Sequence, residues 1–207
     1  MPTSKHSGHS ALTLGLQLKT TLLGVKSLIR HVGMARALRI GAHLSFEQAR
    51  GAPFKSLPAP QSKREKLSRT QIAPAILLYR ALRKYYSQEV SLEICREIIV
   101  EGTLLFLSKA IGPIEQETIK RMNENERAGW VTHIANQFFN ASIQWHDISE
   151  DSISFTVTSC RFPELCSEVG VPELAPLFCE GDQHFFNQPE HFVQLQRPHT
   201  IAEGARN

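Results

Sequence analysis

Between Cys160 and His199 the sequence gathers the residue types that do chemistry: Cys160, Cys166, Cys179, Asp182, His184, His191 and His199. Thiols, imidazoles and a carboxylate this close in sequence suit two kinds of site. One is a soft or borderline metal centre. The other is a thiolate nucleophile served by a base and a carboxylate. The spacing lacks the paired close cysteines of a zinc ribbon, so a structural zinc site has little support. A buried, inert thiol is the commoner fate of any one cysteine. Cys95, flanked by Ile94, Ile98 and Ile99, fits that reading, and Cys166 in Glu164-Leu165-Cys166-Ser167 reads as a helix-face residue. Cys160 and Cys179 each end an apolar run at a turn and are the stronger site candidates.

These residues need elements to position them. Ile143, Trp145 and Asp147 alternate with Ser142, Gln144 and His146; after Ser149-Glu150-Asp151, Ile153, Phe155 and Val157 alternate with Ser154, Thr156 and Thr158. Two period-two runs joined by a polar turn predict a β-hairpin over 141–148 and 152–159, with its apolar side over the core. Cys160 then leaves the sheet at a strand end. Pro163, Gly170, Pro172, Pro176 and Gly181 punctuate short helical pieces, and Phe192 to Leu195 reads as a further strand. Cys179 and Asp182, three apart, share a side of a helical turn. Cys160, Cys179 and Asp182 are expected to converge on one pocket, with Arg197 and His199 at its rim.

Upstream the period is helical. Ile72, Ile76, Tyr79 and Leu82 mark one helix, capped by Ser68, with Pro74 in its first turns, ending near Tyr86. Ser91 is expected to cap a second, which buries Ile94, Cys95, Ile98, Ile99 and Leu105 and stops at Gly112-Pro113. A third runs from about Glu115 to Phe139. The expected class is α+β, a helical N-terminal half packed on a small antiparallel sheet.

The 207-residue chain divides by composition into a basic arm over 1–50, a proline-bearing linker over 51–67 and one α+β domain over 68–207. The first ten residues read as disordered. No Asp or Glu precedes Glu47, while Lys5, Lys19, Lys26, Arg30, Arg36 and Arg39 do. Leu22, Val25, Ile29 and Val32 form a helical stripe in this arm. It reads as a helix lying on the domain, as a mitochondrial presequence, or as a membrane-surface or nucleic-acid contact, with nucleic acid last. The arm is expected to be separable from the core. From Asp147 to Glu190 the balance reverses, with Arg161 the only Lys or Arg. No apolar run approaches the roughly 20 residues a membrane span needs. Four cysteines without an export signal predict reduced thiols and a cytoplasmic protein, mitochondrial if the arm is a presequence. The expected partner is a small molecule, not nucleic acid.

One stretch adds a resemblance. Phe155-Thr156-Val157-Thr158-Ser159-Cys160-Arg161-Phe162-Pro163-Glu164-Leu165, then Gly170, Pro172-Glu173-Leu174 and Phe178-Cys179-Glu180-Gly181-Asp182, and finally Arg197 with Thr200-Ile201-Ala202-Glu203-Gly204, resembles the L-2-amino-thiazoline-4-carboxylic acid hydrolase family. The resemblance covers residues 153–204; the helices over about 68–140 are compatible in order, and the arm lies outside it. The family pattern continues past the glycine with a further Cys, an Asp and an aromatic residue, whereas this sequence ends at Asn207.

The resemblance implies hydrolysis of a cyclic isothiourea bearing a carboxylate, opened to N-carbamoyl-cysteine. Its electrophilic carbon needs a carboxylate for the amidinium, a nucleophile or activated water, and a proton donor for the leaving thiolate. Asp182 is the expected amidinium partner. Cys160 or Cys179 is the nucleophile, or else these residues hold a divalent metal with Asp182. His184 or His199 is the base. Arg197 is the clamp for the substrate carboxylate, with His199 and Thr200 beside it. The alternative is a non-catalytic small-molecule or metal-binding domain using the same pocket.

Overall fold

The computed structural model describes residues 21–204. Readings made on residues 1–20 lie outside the described residues. The chain runs through a helix α1 over 21–32, α2 (Met34–Ala49), α3 (Lys63–Leu82), α4 (Gln88–Ala110), α5 (Gln116–Arg121), α6 (Glu124–Ala135), β1 (Ala141–Ile148), β2 (Ile153–Cys160), α7 (Arg161–Glu168), a 3₁₀ turn at Pro172–Leu174, α8 (Ala175–Phe186) and a second 3₁₀ turn at Ile201–Glu203. The class is α+β, with helices in the N-terminal half and the strands in the C-terminal half.

The core is built by helices. Ile72, Ile76, Tyr79 and Leu82 of α3 meet Ile94, Cys95 and Ile99 of α4, Leu165 and Cys166 of α7, and Leu174, Ala175 and Leu177 at the start of α8. Leu28, Ala37, Ile40 and Phe54 belong to the same cluster, so the helices before residue 50 lie on the domain. Glu97 of α4 fastens α1 from outside. It accepts from Ser27 Oγ at 2.8 Å and Arg30 Nη1 at 2.7 Å, and pairs with His31 Nε2 at 2.6 Å. The His31 contact first, then Ser27 and Arg30, holds its carboxyl below the usual range.

Helix limits differ from the sequence reading where side chains choose among competing caps. The cap of α3 is Ser62, which accepts from the Glu65 N–H at 3.1 Å while Glu65 reaches back to the Gln61 N–H at 2.9 Å. Ser68 is instead buried inside the helix and donates to the Arg64 carbonyl. Pro74 therefore sits in mid-helix and not in the first turns, and α3 ends at Leu82 rather than near Tyr86. Ser87, not Ser91, caps α4. The single helix expected over 115–139 is two, because Asn123 and Glu126 form a reciprocal capping box that starts α6 afresh.

The hairpin pairs antiparallel, with Ile143 opposite Val157 and Trp145 opposite Phe155. The Trp145 and Phe155 rings meet edge-on at 5.5 Å. Its apolar side is only half-buried, with Phe155 38% exposed, and none of these four residues is in the buried cluster. The expected strand at Phe192 to Leu195 is not a strand: the segment is irregular, tied by Phe192 N–H to Ile114 O at 2.9 Å and Leu195 N–H to Asn187 Oδ1 at 2.7 Å. Among the described residues the sheet has two strands, too few to form a layer of its own, so the helices do the burying.

The close approach of α8 to α4 depends on Gly181. A Cβ there would lie 2.7 Å from the Cβ of Thr103 and 2.8 Å from its Oγ1. Gly181→Ala should therefore destabilise by about 1–3 kcal/mol, although alanine is the better helix former by ~1 kcal/mol. Thermal unfolding checks this, and Thr103→Gly should relieve the clash whereas Thr103→Ala, which keeps the offending Cβ, should not.

Candidate functional site

The first side chain of the site is Cys160, the last residue of β2 and the one preceding α7. Pairing with Ala141 fixes its place, and the Arg161 N–H carries the ladder one step further to the Asn140 carbonyl at 2.8 Å. That register brings the Asn140 side chain to the thiol, where Nδ2 lies 3.3 Å from Sγ. Pro163 follows in the first turn of α7, where a missing N–H costs least. Arg161 then pins α7. It reaches Glu164 at 2.8 Å and Glu168 at 2.7 Å within the helix, and Glu65 of α3 at 3.1 Å. Glu65 also pairs with Arg69 at 2.5 Å, and these contacts with the Gln61 N–H, the largest influence, hold its carboxyl down at about 2.

The chain reverses at Gly170, whose φ of 75° is the left-handed value that closes a helix. The Val171 N–H caps the Cys166 carbonyl at 2.8 Å. Pro172 and Pro176 open the two following turns, and α8 presents Ala175, Phe178, Cys179 and Asp182 along one side. This is the i, i+3, i+4, i+7 row of a helix.

Cys160, Cys179 and Asp182 line one cavity of about 60 Å³. Its walls are Gln71 of α3, Thr103, Phe106 and Leu107 of α4, Gln137, Phe138 and Asn140 before the hairpin, and Phe162 and Pro163 of α7. The volume exceeds the ~10–15 Å³ a single water needs and falls well short of the ~300 Å³ at which drug-sized pockets begin. The cavity is mostly apolar with a few amide and hydroxyl groups, and among the described residues its only ionisable side chains are the two thiols and the carboxylate.

Burial dominates their electrostatics. It pushes the Cys179 thiol up to about 11, opposed by the Arg197 guanidinium and reinforced by Asp182 and Cys160. It raises Cys160 as well, opposed by the Phe162 N–H and the Asn140 amide. Asp182 keeps some exposed surface, yet protein crowds its carboxyl enough to push it up to about 7, with Arg197 alone pulling the other way. Neither thiol is a standing thiolate at neutral pH. The carboxyl is poised where it can both give and take a proton.

Arg197 stands behind this row, not across the cavity. Its Nη2 donates to the Cys179 carbonyl at 2.5 Å, and its Nε is buried without a partner. His184 lies on the outer side of α8, 57% exposed and 3.7 Å from Glu180, away from the cavity. His199 is exposed. Thr200 caps the last 3₁₀ turn, accepting from the Glu203 N–H at 3.2 Å. His191 accepts from the Ile114 N–H at 3.1 Å and packs on Phe185. Cys95 and Cys166 are wholly buried in the core, and burial pushes both up to about 12. Gln71, Thr103, Gln137 and Asn140 were not singled out from the sequence. Among the described residues no three His, Cys, Asp or Glu are disposed to hold a metal ion, so Cys160, Cys179 and Asp182 do not fit the divalent-metal site entertained above.

No curated protein and no solved structure matches the chain. A family model for L-2-amino-thiazoline-4-carboxylic acid hydrolase matches residues 66–207. The match begins in the first turn of α3 and takes in every residue that lines the cavity, leaving α1 and α2 outside it. With two thirds of its length matched, the chain belongs to the L-2-amino-thiazoline-4-carboxylic acid hydrolase family.

Proposed function

We propose that the protein is a hydrolase that opens a small cyclic isothiourea or amidine at the cavity formed by Cys160, Cys179 and Asp182. The observation that carries this reading is the gathering of two thiols and one carboxyl, the only ionisable side chains lining it among the described residues, in one small cavity. The cationic amidinium of such a substrate is held by ionised Asp182. Gln71, Gln137 and Asn140 offer amides for the substrate's amine and carboxylate. Arg197 acts from behind, favouring negative charge at Cys179 and Asp182.

A thiol that enters as S–H must lose its proton as it attacks. Asp182 is the carboxylate in the cavity able to take it, one helical turn from Cys179. The thiol adds to the carbon between nitrogen and sulfur, and the C–S bond of the ring breaks. The departing sulfur collects the proton held by Asp182. Water then adds to the same carbon, the enzyme thiol leaves with a proton restored, and a urea remains. The sum is one ring plus one water giving one open-chain thiol. The base role read for His184 or His199 passes to Asp182 in this scheme, because His184 faces outward.

The test supplies L-2-amino-thiazoline-4-carboxylate to the purified protein and follows the new free thiol together with N-carbamoyl-cysteine. Turnover should fall by at least about 10³-fold in whichever of Cys179→Ser and Cys160→Ser removes the nucleophile, with the fold kept. Saturable binding of the ring without turnover would instead favour the non-catalytic binding domain. Full turnover in the double Cys160→Ser/Cys179→Ser variant would overturn the thiol mechanism.

A further inference from the structure

Helices α1 and α2 lie outside the family match and contribute nothing to the cavity, yet they are unlike the rest of the surface. The α2 helix buries Ala37 and Ile40 against the core and turns Met34, Leu38, Ala42 and Phe46 outward. These four follow one another at i+4, so they form a single ridge. Met34 is 57% exposed, Leu38 64% and Phe46 57%; on α1, Leu22 is 71% exposed. A water-soluble surface rarely lines up large apolar side chains in this way without a use.

The exposed charge beside the ridge is mostly positive, and Glu47, half-buried next to Phe46, is the one carboxylate of α2. Arg39 is exposed next to Leu38, and the Arg50 guanidinium lies over the Phe46 ring at 5.2 Å. Arg36 stacks on Tyr85 and Tyr86 in the turn between α3 and α4, and Lys26 is exposed on α1. The sequence holds no Asp or Glu before Glu47. Apolar ridge and flanking cations on one helix are the elements by which a helix lies in the plane of a bilayer, its apolar side among the acyl chains and its cations among acidic headgroups.

We infer that α2, with the exposed start of α1, is a membrane-surface contact that docks the protein on bilayers rich in anionic phospholipid. Charge complementarity selects this occupant. A second copy meeting the ridge through the same face would set Arg36, Arg39 and Arg50 against their own counterparts, with Glu47 the one carboxylate of α2 to offset them. A nucleic acid would satisfy the cations but strand Leu38 and Phe46 against phosphate and water. Among the described residues no helix is long and apolar enough to cross a membrane, so the contact is peripheral. The inference is independent of the ring-opening reading, since the cavity lies on other elements.

The experiment is co-sedimentation of the full chain with vesicles of phosphatidylcholine alone and of phosphatidylcholine with phosphatidylglycerol. Binding is expected only to the anionic vesicles and should weaken with added salt. Leu38→Asp with Phe46→Asp should cost about tenfold or more in vesicle affinity, and Arg39→Glu a smaller, salt-dependent part. Circular dichroism and ring-opening turnover in solution should be unchanged in both variants. Phe46→Trp, which keeps the ridge, should show a blue-shifted emission on anionic vesicles and quenching by brominated acyl chains. The inference fails if anionic vesicles do not bind, or if the Leu38→Asp/Phe46→Asp variant binds as tightly as the parent. It also fails if those variants abolish a dimer seen by sedimentation while leaving vesicles untouched, or if a DNA duplex binds through Arg39 without regard to Leu38 and Phe46.

Discussion

Asp182→Asn is expected to lower turnover of the ring by about 10²–10⁴-fold and, at the same time, to make the protein more stable above pH 7. The loss follows from the two duties assigned to the carboxylate, holding the amidinium and carrying the proton between thiol and leaving sulfur. An amide brings no negative charge to the amidinium and cannot take up the proton. The pH profile should change with it. The parent needs ionised Asp182 in the free enzyme, so kcat/KM should rise with pH through about 7, and that limb should vanish in the variant. The gain in stability comes from the same burial. The folded carboxyl binds its proton up to about 7 while the unfolded one releases it near the ordinary 3.8. Between these values the native state holds more protons than the unfolded state, so stability falls as pH rises across the window and stays low above it. At most the cost is about 4 kcal/mol, from ~1.4 kcal/mol for each pKa step. Removing it should raise the midpoint of thermal unfolding above pH 7 by about 5 °C or more and leave it unchanged at pH 3. A variant that is less stable than the parent at every pH would show that Asp182 is a structural anchor.

Much of this site could be read in the residues. Strict alternation on both sides of Ser149-Glu150-Asp151 gives a hairpin register, and the register alone places Cys160 at the strand end. Asn140 was within reach of the same logic: if Ala141 pairs with Cys160, the preceding residue must flank the thiol. The spacing of Cys179 and Asp182 placed them on one side of α8, and the same helical arithmetic, two residues on from Asp182, turns His184 outward. Asn123-x-x-Glu126 is a capping signature that the long periodicity of 115–139 obscured. Other features depended on distant partners. Lys63-Arg64-Glu65-Lys66 has the composition of a linker, yet it is the first turn of α3, because Glu65 is held by Arg69 and by Arg161 from α7. Thr103 joins the cavity wall only because Gly181 lets α8 settle against α4. The apolar run at Phe192 to Leu195 is tied instead to Ile114 and Asn187, and among the described residues it pairs with no strand.

Deletion of residues 1–50 should abolish cooperative folding. Composition alone argues for a removable arm: it is basic, free of acids before Glu47, outside the family match and followed by Pro53, Pro58 and Pro60. Burial argues the reverse. Leu28 is 6% exposed, Ala37 6% and Ile40 2%, and they pack with the residues of α3 and α4 that form the centre of the core. Removing them takes away their own burial and also bares the apolar surface they cover. Two large side chains at ~1.5–3 kcal/mol each, with the newly wetted surface of α3 and α4, amount to about 5–8 kcal/mol. Whole domains are stable by only ~5–15 kcal/mol. The shortened chain should therefore populate expanded, dye-binding states, with loss of a sharp thermal transition. The contribution of polar contacts can be separated by Glu97→Gln, which weakens the ties to Arg30 and His31 while leaving the apolar contacts in place. That change should cost only about 1 kcal/mol, because these partners are partly exposed. A chain beginning at residue 51 that melts cooperatively near the parent's midpoint would show that the apolar contacts of α1 and α2 add little, and that the domain is complete from α3 onward.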